Sequence, residues 1–234
     1  SSKTEKAALA FEELYPEIDV QAFDLGGDDV LLKTQEEQRA GAFVGDVWFS
    51  SGGPTIKGEL VPNGYVWKFV PSDVADVIPA QFQEPLLVSR LGSQTWAYND
   101  ELNDSCPITN MWELTEDEWN SKIFIEDPLN DASTLGKLMT FVAHPDEMAA
   151  AYKAFYGTDP VLDADTPDAG WLWLKRFAQN NPIPQPGGDE VDSAFATPGM
   201  TESFLAFGSY GNYPDKLEGA LAFELCWELE PVGG

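Results

Sequence analysis

The chain has 234 residues, 43% of them hydrophobic and 12% aromatic, which is enough for one large or two small cored domains and excludes a disordered chain. Forty acidic residues against thirteen basic ones give a formal net charge of −27, which repels phosphate backbones and anionic lipid and argues against nucleic acid or a membrane surface as partner. No run approaches the roughly 18 to 20 apolar residues that span a bilayer, and most of the carboxylates are expected to form a solvated face rather than a cation site.

In chain order, Ala7, Ala10, Phe11 and Leu14 recur at helical spacing, and Tyr15-Pro16 stops that helix. Ile18, Val20 and Ala22 then alternate as a strand. Gly26-Gly27 turns into a second helix from Asp28 to Ala40, with Gly41 at its end. Asp46 to Phe49 reads as a short buried strand that delivers the chain into Ser50-Ser-Gly-Gly-Pro54. Leu86 to Leu91 and Gln94 to Asn99 read as strands separated by Gly92-Ser93.

Thr115-Glu-Asp-Glu118 has the form of a capping box and predicts a short helix to Trp119. Ile123 to Ile125 is a strand, and Thr134 to Val142 a helix with Leu135, Leu138, Met139 and Val142 on one face. Pro145 opens the next helix and Gly157 stops it. A further helix lies between Asp168 and Asn180, and the Pro182 to Gly188 run is a loop. Residues 221–229 give the clearest period-two signal, Leu221, Phe223, Leu225, Trp227 and Leu229 alternating with Ala222, Glu224, Cys226 and Glu228. Helices alternating with strands predict an α/β fold.

Several of these segments together resemble one family. Gln94-Thr-Trp-Ala-Tyr-Asn99, then Cys106-Pro-Ile-Thr-Asn-Met-Trp-Glu-Leu114, then Lys122-Ile-Phe-Ile-Glu-Asp-Pro128 is similar to the mid-chain signature of extracellular solute-binding proteins of the iron, polyamine and phosphonate type, which feed ABC importers. Phe11 to Val20, Gln38 to Trp48, and Ala220 to Pro231 followed by Val-Gly-Gly are similar to other parts of that family in the same order. The chain departs from the pattern at both ends, opening inside the family's first helix and stopping where members continue with further helices.

The resemblance implies a two-lobed periplasmic-binding-protein-like α/β fold, incomplete at both ends, with a hinge between lobes. Residues 1–95 with 228–234 would form one lobe and 96–227 the other, with hinge segments at Trp96 to Asn99 and Leu229 to Gly233. It also implies an extracellular or periplasmic place, with a lipid anchor in a segment outside this chain, a membrane ABC permease as partner and a monomeric state. Cys106 and Cys226 show no metal-ligand spacing. In the family's topology both fall near the crossings between lobes, where they either pair across a long loop or stand as two separate thiols.

The residues announce no catalytic apparatus. His144, the single histidine, stands just before Pro145 and reads as a helix entry that caps backbone or is exposed. No phosphate loop, Gly-x-Gly-x-x-Gly or Cys-x-x-Cys is present, so neither an enzyme nor a cofactor is expected.

For binding, Ser50, Ser51, Gly52 and Gly53 follow a predicted strand, where open α/β sheets place ligands and where small residues allow close approach; the alternative is an ordinary Gly-rich turn. Asp127, Ser133 and Thr134 occupy the matching strand-to-helix turn in the second half. Its amides suit an anion, Asp127 and Asp131 suit a positive group, and a plain N-cap explains the same residues. Tyr210, with Tyr213 nearby, offers a phenol oxygen in a Gly-Pro loop, as ligand or as hydrogen-bonded edge aromatic. Trp48, Trp67, Trp96 and Trp171 read as core, the alternative being one that lines the cleft and faces a quaternary or primary amine.

The function so implied is capture of a small polar solute, whether ferric iron, a phosphonate or phosphate-bearing compound, or a polyamine, in the cleft between the lobes. The alternative is a secreted carbohydrate-active enzyme or carbohydrate-binding protein, suggested by the carboxylates and tryptophans alone. A third reading is a fragment without binding competence.

Overall fold

Backbone pairing divides the chain more sharply than its hydrophobic pattern does. The computed structural model describes residues 3–23, 25, 27–50, 53–89, 94–209 and 213–231, and it resolves into two compact units, Ser1–Phe69 and Val70–Gly234.

The first unit contains helix α1 (Lys3–Leu14), helix α2 (Gly27–Ala40) and a short helix α3 (Gly53–Thr55) that runs into a wide turn at Ile56–Leu60. Leu31 and Leu60 are its buried apolar side chains among the described residues, and buried Gln35 donates from Nε2 to Glu59 Oε2 at 2.9 Å. The strands predicted at 18–22 and 46–49 do not form. Val47 is 92% and Phe49 68% exposed, the reverse of a buried strand. A strand needs a neighbour for its N–H and C=O groups, and none of the described residues of this unit supplies one.

The second unit is built on a five-stranded sheet of order β3-β2-β4-β1-β5, with β1 at Gln94–Tyr98, β2 at Ile123–Glu126, β3 at Ile183–Gln185, β4 at Leu205–Ser209 and β5 at Glu224–Leu225. Strand β2 runs parallel to β3 and β4, while β1 runs antiparallel to β4 and β5. Parallel neighbours require crossovers. Helices α4 (Ala132–Ala143), α5 (Pro145–Tyr156) and α6 (Ala169–Gln179) connect β2 to β3, and α7 (Gly188–Ala196) connects β3 to β4. A short α8 (Tyr213–Leu217) precedes β5.

Alternation along the strands sorts side chains to two faces. Trp96, Tyr98, Ile123, Ile125, Leu205 and Phe207 meet Leu138, Phe141, Met148, Tyr152, Trp173 and Phe177 of α4 to α6 in the larger core. Trp173 stacks on Phe177 at 4.9 Å between centroids and donates its indole N–H to the Met111 carbonyl at 2.8 Å, so this large side chain is fully buried without an orphaned donor. Ala97, Ala206 and Phe124 face α7 instead, packing with Val191 and Phe195. Gly170 of α6 permits a close approach to α4, because a Cβ there would lie 2.6 Å from the Phe141 carbonyl oxygen.

Several local expectations hold. Asp168 caps α6 by accepting the Trp171 amide at 2.9 Å, and Asn180 ends that helix. Pro145 opens α5, and Gly157 ends it in the left-handed region at φ 75°.

Others are corrected. The capping box lies at Asn110 and Glu113, where Asn110 Oδ1 accepts the Trp112 amide and Glu113 Oε1 accepts the Asn110 amide, each at 2.9 Å. Thr115 spends its hydroxyl on the Trp112 carbonyl at 2.7 Å. Residues 86–89 are not strand. The predicted loop at 182–188 contains β3, which accommodates Pro184 because it is an edge strand. Of the period-two run at 221–229 only Glu224–Leu225 pairs, and Trp227 is 64% exposed. Of the four tryptophans read as core, Trp96 is buried, Trp48 is half-buried, and Trp67 and Trp171 are exposed.

Cys106 and Cys226 form a disulfide with Cα atoms 5.2 Å apart. No helix among the described residues is long and apolar enough to cross a membrane.

Candidate functional site

The carboxyl ends of β2, β3 and β4 lie at one edge of the sheet, the edge at which open α/β sheets place ligands. Two helices begin there. The β2 turn, residues 127–131, leads into α4, and the turn after β3 leads into α7 at Gly188.

The structure brings Asp127, Ser133 and Thr134 to this edge. Asp127 Oδ1 accepts the Leu129 amide at 3.0 Å and Oδ2 accepts from Asn130 Nδ2 at 2.6 Å, so this carboxylate shapes the turn. Its own amide donates to the Gln185 carbonyl at 3.0 Å, tying the turn to β3. Asp131 is the N-cap of α4 and accepts the Thr134 amide at 2.6 Å. That amide, which an incoming anion would use, is therefore already engaged. Ser133 is exposed, whereas Thr134 is 1% exposed with its hydroxyl 3.5 Å from Glu126 Oε2.

Glu126 is the residue that sequence reasoning missed. It shares with Phe124 the face of β2 that α7 covers, an acidic side chain where the alternation calls for an apolar one, and that was the available signal. A Cβ on Gly188 would meet Glu126 Oε1 at 2.7 Å, so the end of the Glu126 side chain fills the space that a side chain at the start of α7 would take. Burial first, then the charge and hydrogen bond of Asp131, raise the Glu126 pKa to about 7, with Asp192 adding to the rise and the Thr134 hydroxyl opposing it. Asp192 of α7 is 7% exposed and lies near Gly208 of β4. The edge is thus lined by Glu126, Asp131 and Asp192. No group of histidine, cysteine and carboxylate side chains arranged to hold a metal ion occurs among the described residues.

The other candidates are elsewhere. Ser50 is half-buried and Gly53 opens α3 in the first unit, where a Cβ on Gly53 would meet nothing within 4 Å. Ser51, Gly52 and Tyr210 lie outside the described residues. Tyr213 packs edge-on to Phe223 at 6.1 Å. His144 is exposed, makes no side-chain cap and has Nδ1 3.4 Å from Glu147 Oε1.

No family model and no curated protein sequence matches the chain. Solved structures do match. The periplasmic binding protein AfuA from Actinobacillus pleuropneumoniae, with fructose-6-phosphate bound, superimposes with a TM-score of 0.65 at 19% identity, covering 100% of this chain and 68% of AfuA. Iron-bound HitA from Pseudomonas aeruginosa gives a TM-score of 0.62 at 18% identity over 96% of this chain and 66% of HitA. The apo ferric ion-binding protein A of Pasteurella haemolytica gives 0.59 at 16% identity over 94% of this chain and 64% of its own. The chain therefore spans about two thirds of the length of the structures it matches. It has the α/β fold of the periplasmic binding proteins, as its motifs implied.

Proposed function

We propose that this chain is the solute-binding component of an ABC importer, working in the periplasm or outside the cell and handing a small polar solute to a membrane permease. The observation that supports this most is the fold match, which extends along the whole chain to a periplasmic binding protein. The lobes of this reading are residues 1–95 with 228–234, and residues 96–227. Its contact residues are Ser50, Ser51, Gly52, Gly53, Asp127, Ser133, Thr134 and Tyr210, joined now by Glu126. Capture is a shift between conformations stabilised by solute contacts, with no covalent step.

The strand-end lining bears on which solute. AfuA was solved with a sugar phosphate and HitA with iron. Here the α4 amide at Thr134 is held by Asp131, and the neighbouring side chains are carboxyls. That lining favours a solute presenting a positive group over one presenting a phosphate.

The experiment is a melting-curve panel with putrescine, spermidine, 2-aminoethylphosphonate, phosphate, fructose-6-phosphate, ferric citrate and iron-free citrate. A ligand at about a hundred times its Kd stabilises the native state by about 2.7 kcal/mol. An amine response supports the reading in full. A response confined to phosphate or fructose-6-phosphate overturns the charge preference and keeps the binding function. A flat panel overturns the binding function.

A further inference from the structure

Gln94 and Trp96 stand two residues apart on β1 and so share the face of the sheet that α4 to α6 cover. Gln94 pairs with Ser209 at the carboxyl end of β4, which places it at the candidate edge, and Trp96 pairs with Phe207 two residues further in. Both residues are buried, Gln94 at 9% and Trp96 at 2% exposed. The Gln94 Oε1 acceptor and the Trp96 Nε1 donor are buried atoms, and neither has a hydrogen-bond partner among the described residues.

Two other buried tryptophans of this core are satisfied. The indole N–H of Trp112 donates to the Met148 carbonyl at 2.9 Å, and that of Trp173 to the Met111 carbonyl at 2.8 Å. Trp96 packs on Phe207 at 4.8 Å and meets Phe177 edge-on at 5.8 Å, contacts that hold its ring and give its N–H nothing. A donor and an acceptor left unmade in an apolar interior each cost their full desolvation, so the retention of both points to a group that joins them. The chemistry that serves both is narrow. An indole N–H only donates and an amide oxygen only accepts, so a group between them must accept from Trp96 and donate to Gln94. An ammonium has no lone pair to accept with, and a carboxylate or fully ionised phosphate oxygen has no proton to donate. A hydroxyl oxygen does both. Cα atoms two residues apart on a strand are about 6.6–6.8 Å from each other, a separation that two such long side chains close to the span of one bridging oxygen.

We propose that Gln94 and Trp96 hold a hydroxyl group between them at the candidate edge, the Trp96 indole donating to its oxygen and its proton going to Gln94 Oε1. The hydroxyl belongs to an ordered water or to a solute, two sources with the same chemistry. The pairing does not rest on the solute-binding reading; only the second source does. Taken with the charge preference proposed above, that source is an amine that also carries a hydroxyl.

The test is proton–nitrogen NMR of the Trp96 indole, identified by its loss in Trp96→Phe, in the wild-type chain and in Gln94→Leu. Each is recorded without solute and with ethylamine, ethanolamine or fructose-6-phosphate. The expected result is a downfield, hydrogen-bonded indole N–H that moves upfield in Gln94→Leu, because removing the amide takes away the acceptor that holds the hydroxyl in place. Water as the source gives the downfield signal without solute, with magnetisation transfer from a long-lived water. A solute as the source gives it only with ethanolamine or fructose-6-phosphate, and not with ethylamine, which lacks the hydroxyl.

An indole signal at the unbonded position under every condition, one that is the same in wild type and Gln94→Leu, or one that answers ethylamine as it answers ethanolamine would overturn the proposal. A flat melting panel beside a water-bridged indole would overturn the binding function and leave this pair standing, so the two failures are distinct. If Gln94→Leu does not fold, Gln94→Met, which keeps the length of the side chain, takes its place, and if neither folds the wild-type signal decides alone.

Discussion

Cys106 and Cys226, separated by 120 positions in the chain, are joined by a disulfide, and the Cys226 amide donates to the Trp96 carbonyl at 2.9 Å. The bond therefore fastens the loop after β1 to the segment after β5, at the flank of the sheet where β5 contributes only two residues. A two-residue edge strand holds little by hydrogen bonding alone. Closing a loop of this length removes much of the unfolded chain's freedom, and loss of such a bond costs about 2–5 kcal/mol. The double variant Cys106→Ser/Cys226→Ser is expected to unfold at correspondingly lower denaturant, and wild type under reductant is expected to match it. A variant as stable as the oxidised protein would show that the bond constrains nothing.

Gly170 makes a second prediction. An added Cβ would stand 2.6 Å from both the Phe141 carbonyl oxygen and the Val142 Cα, and these are backbone atoms that cannot rotate away. Gly170→Ala should gain helix propensity, yet the forced separation of α4 and α6 outweighs it, with a net loss of about 1–3 kcal/mol. Urea unfolding measures this directly. A stabilised variant would mean that the helices separate without strain.

Local signals in the sequence proved reliable where one residue's chemistry fixes the backbone. Asp168, Pro145 and Gly157 bound their helices as read, since each satisfies or terminates a helix without help from distant chain. The strands depended on partners. Gln94 to Tyr98 pairs on both sides and forms, whereas Ile18, Val20 and Ala22 carry the same alternation and stay unpaired. The candidate edge was half legible for the same reason. Asp127, Ser133 and Thr134 lie in one turn and could be read together, but the approach of Glu126 to Gly188 joins residues 62 positions apart and exists only once β2 and α7 are packed.

Charge gives a third prediction. A net −27 is concentrated on the surface, and the ion pairs opposing it, such as Lys153–Asp159 at 2.9 Å and Lys175–Asp163 at 3.6 Å, join exposed side chains. Exposed pairs are worth about 0–1 kcal/mol each, so screening the general repulsion outweighs weakening them. Raising KCl from about 0.01 M to about 1 M shortens the screening length from about 30 Å to about 3 Å. The melting temperature is therefore expected to rise with KCl, by about 2–4 °C for each kcal/mol of repulsion removed. A flat or falling melting temperature would show that the acidic residues are already locally compensated.

Lys216 supplies the last prediction, with a pH dependence of opposite sense on its two sides. Its Nζ reaches Asp100 Oδ2 and Glu224 Oε2, each at 2.9 Å, and also donates to the Phe223 carbonyl, pinning α8 to the ends of β1 and β5. Burial pulls the Lys216 pKa down, but Asp100 and Glu224 outweigh it and leave the pKa raised. Burial pushes Glu224 up, and the hydrogen bond and charge of Lys216, with the hydrogen bonds of the Leu225 amide and Trp227, together outweigh that and leave it lowered. The lysine's contribution is present below its ordinary value of 10.5 and is lost as pH rises through the higher folded value. The Glu224 contribution is present above 4.5 and is lost as pH falls through the lower folded value. The clamp should hence be constant across the neutral range, where Lys216→Met is expected to cost about 1–3 kcal/mol by leaving three acceptors without their charged donor. The stability difference between wild type and variant should shrink only at the two extremes. A difference that changes steadily between about pH 6 and 8 would mean that a histidine-like or shifted carboxyl group, not this clamp, governs α8.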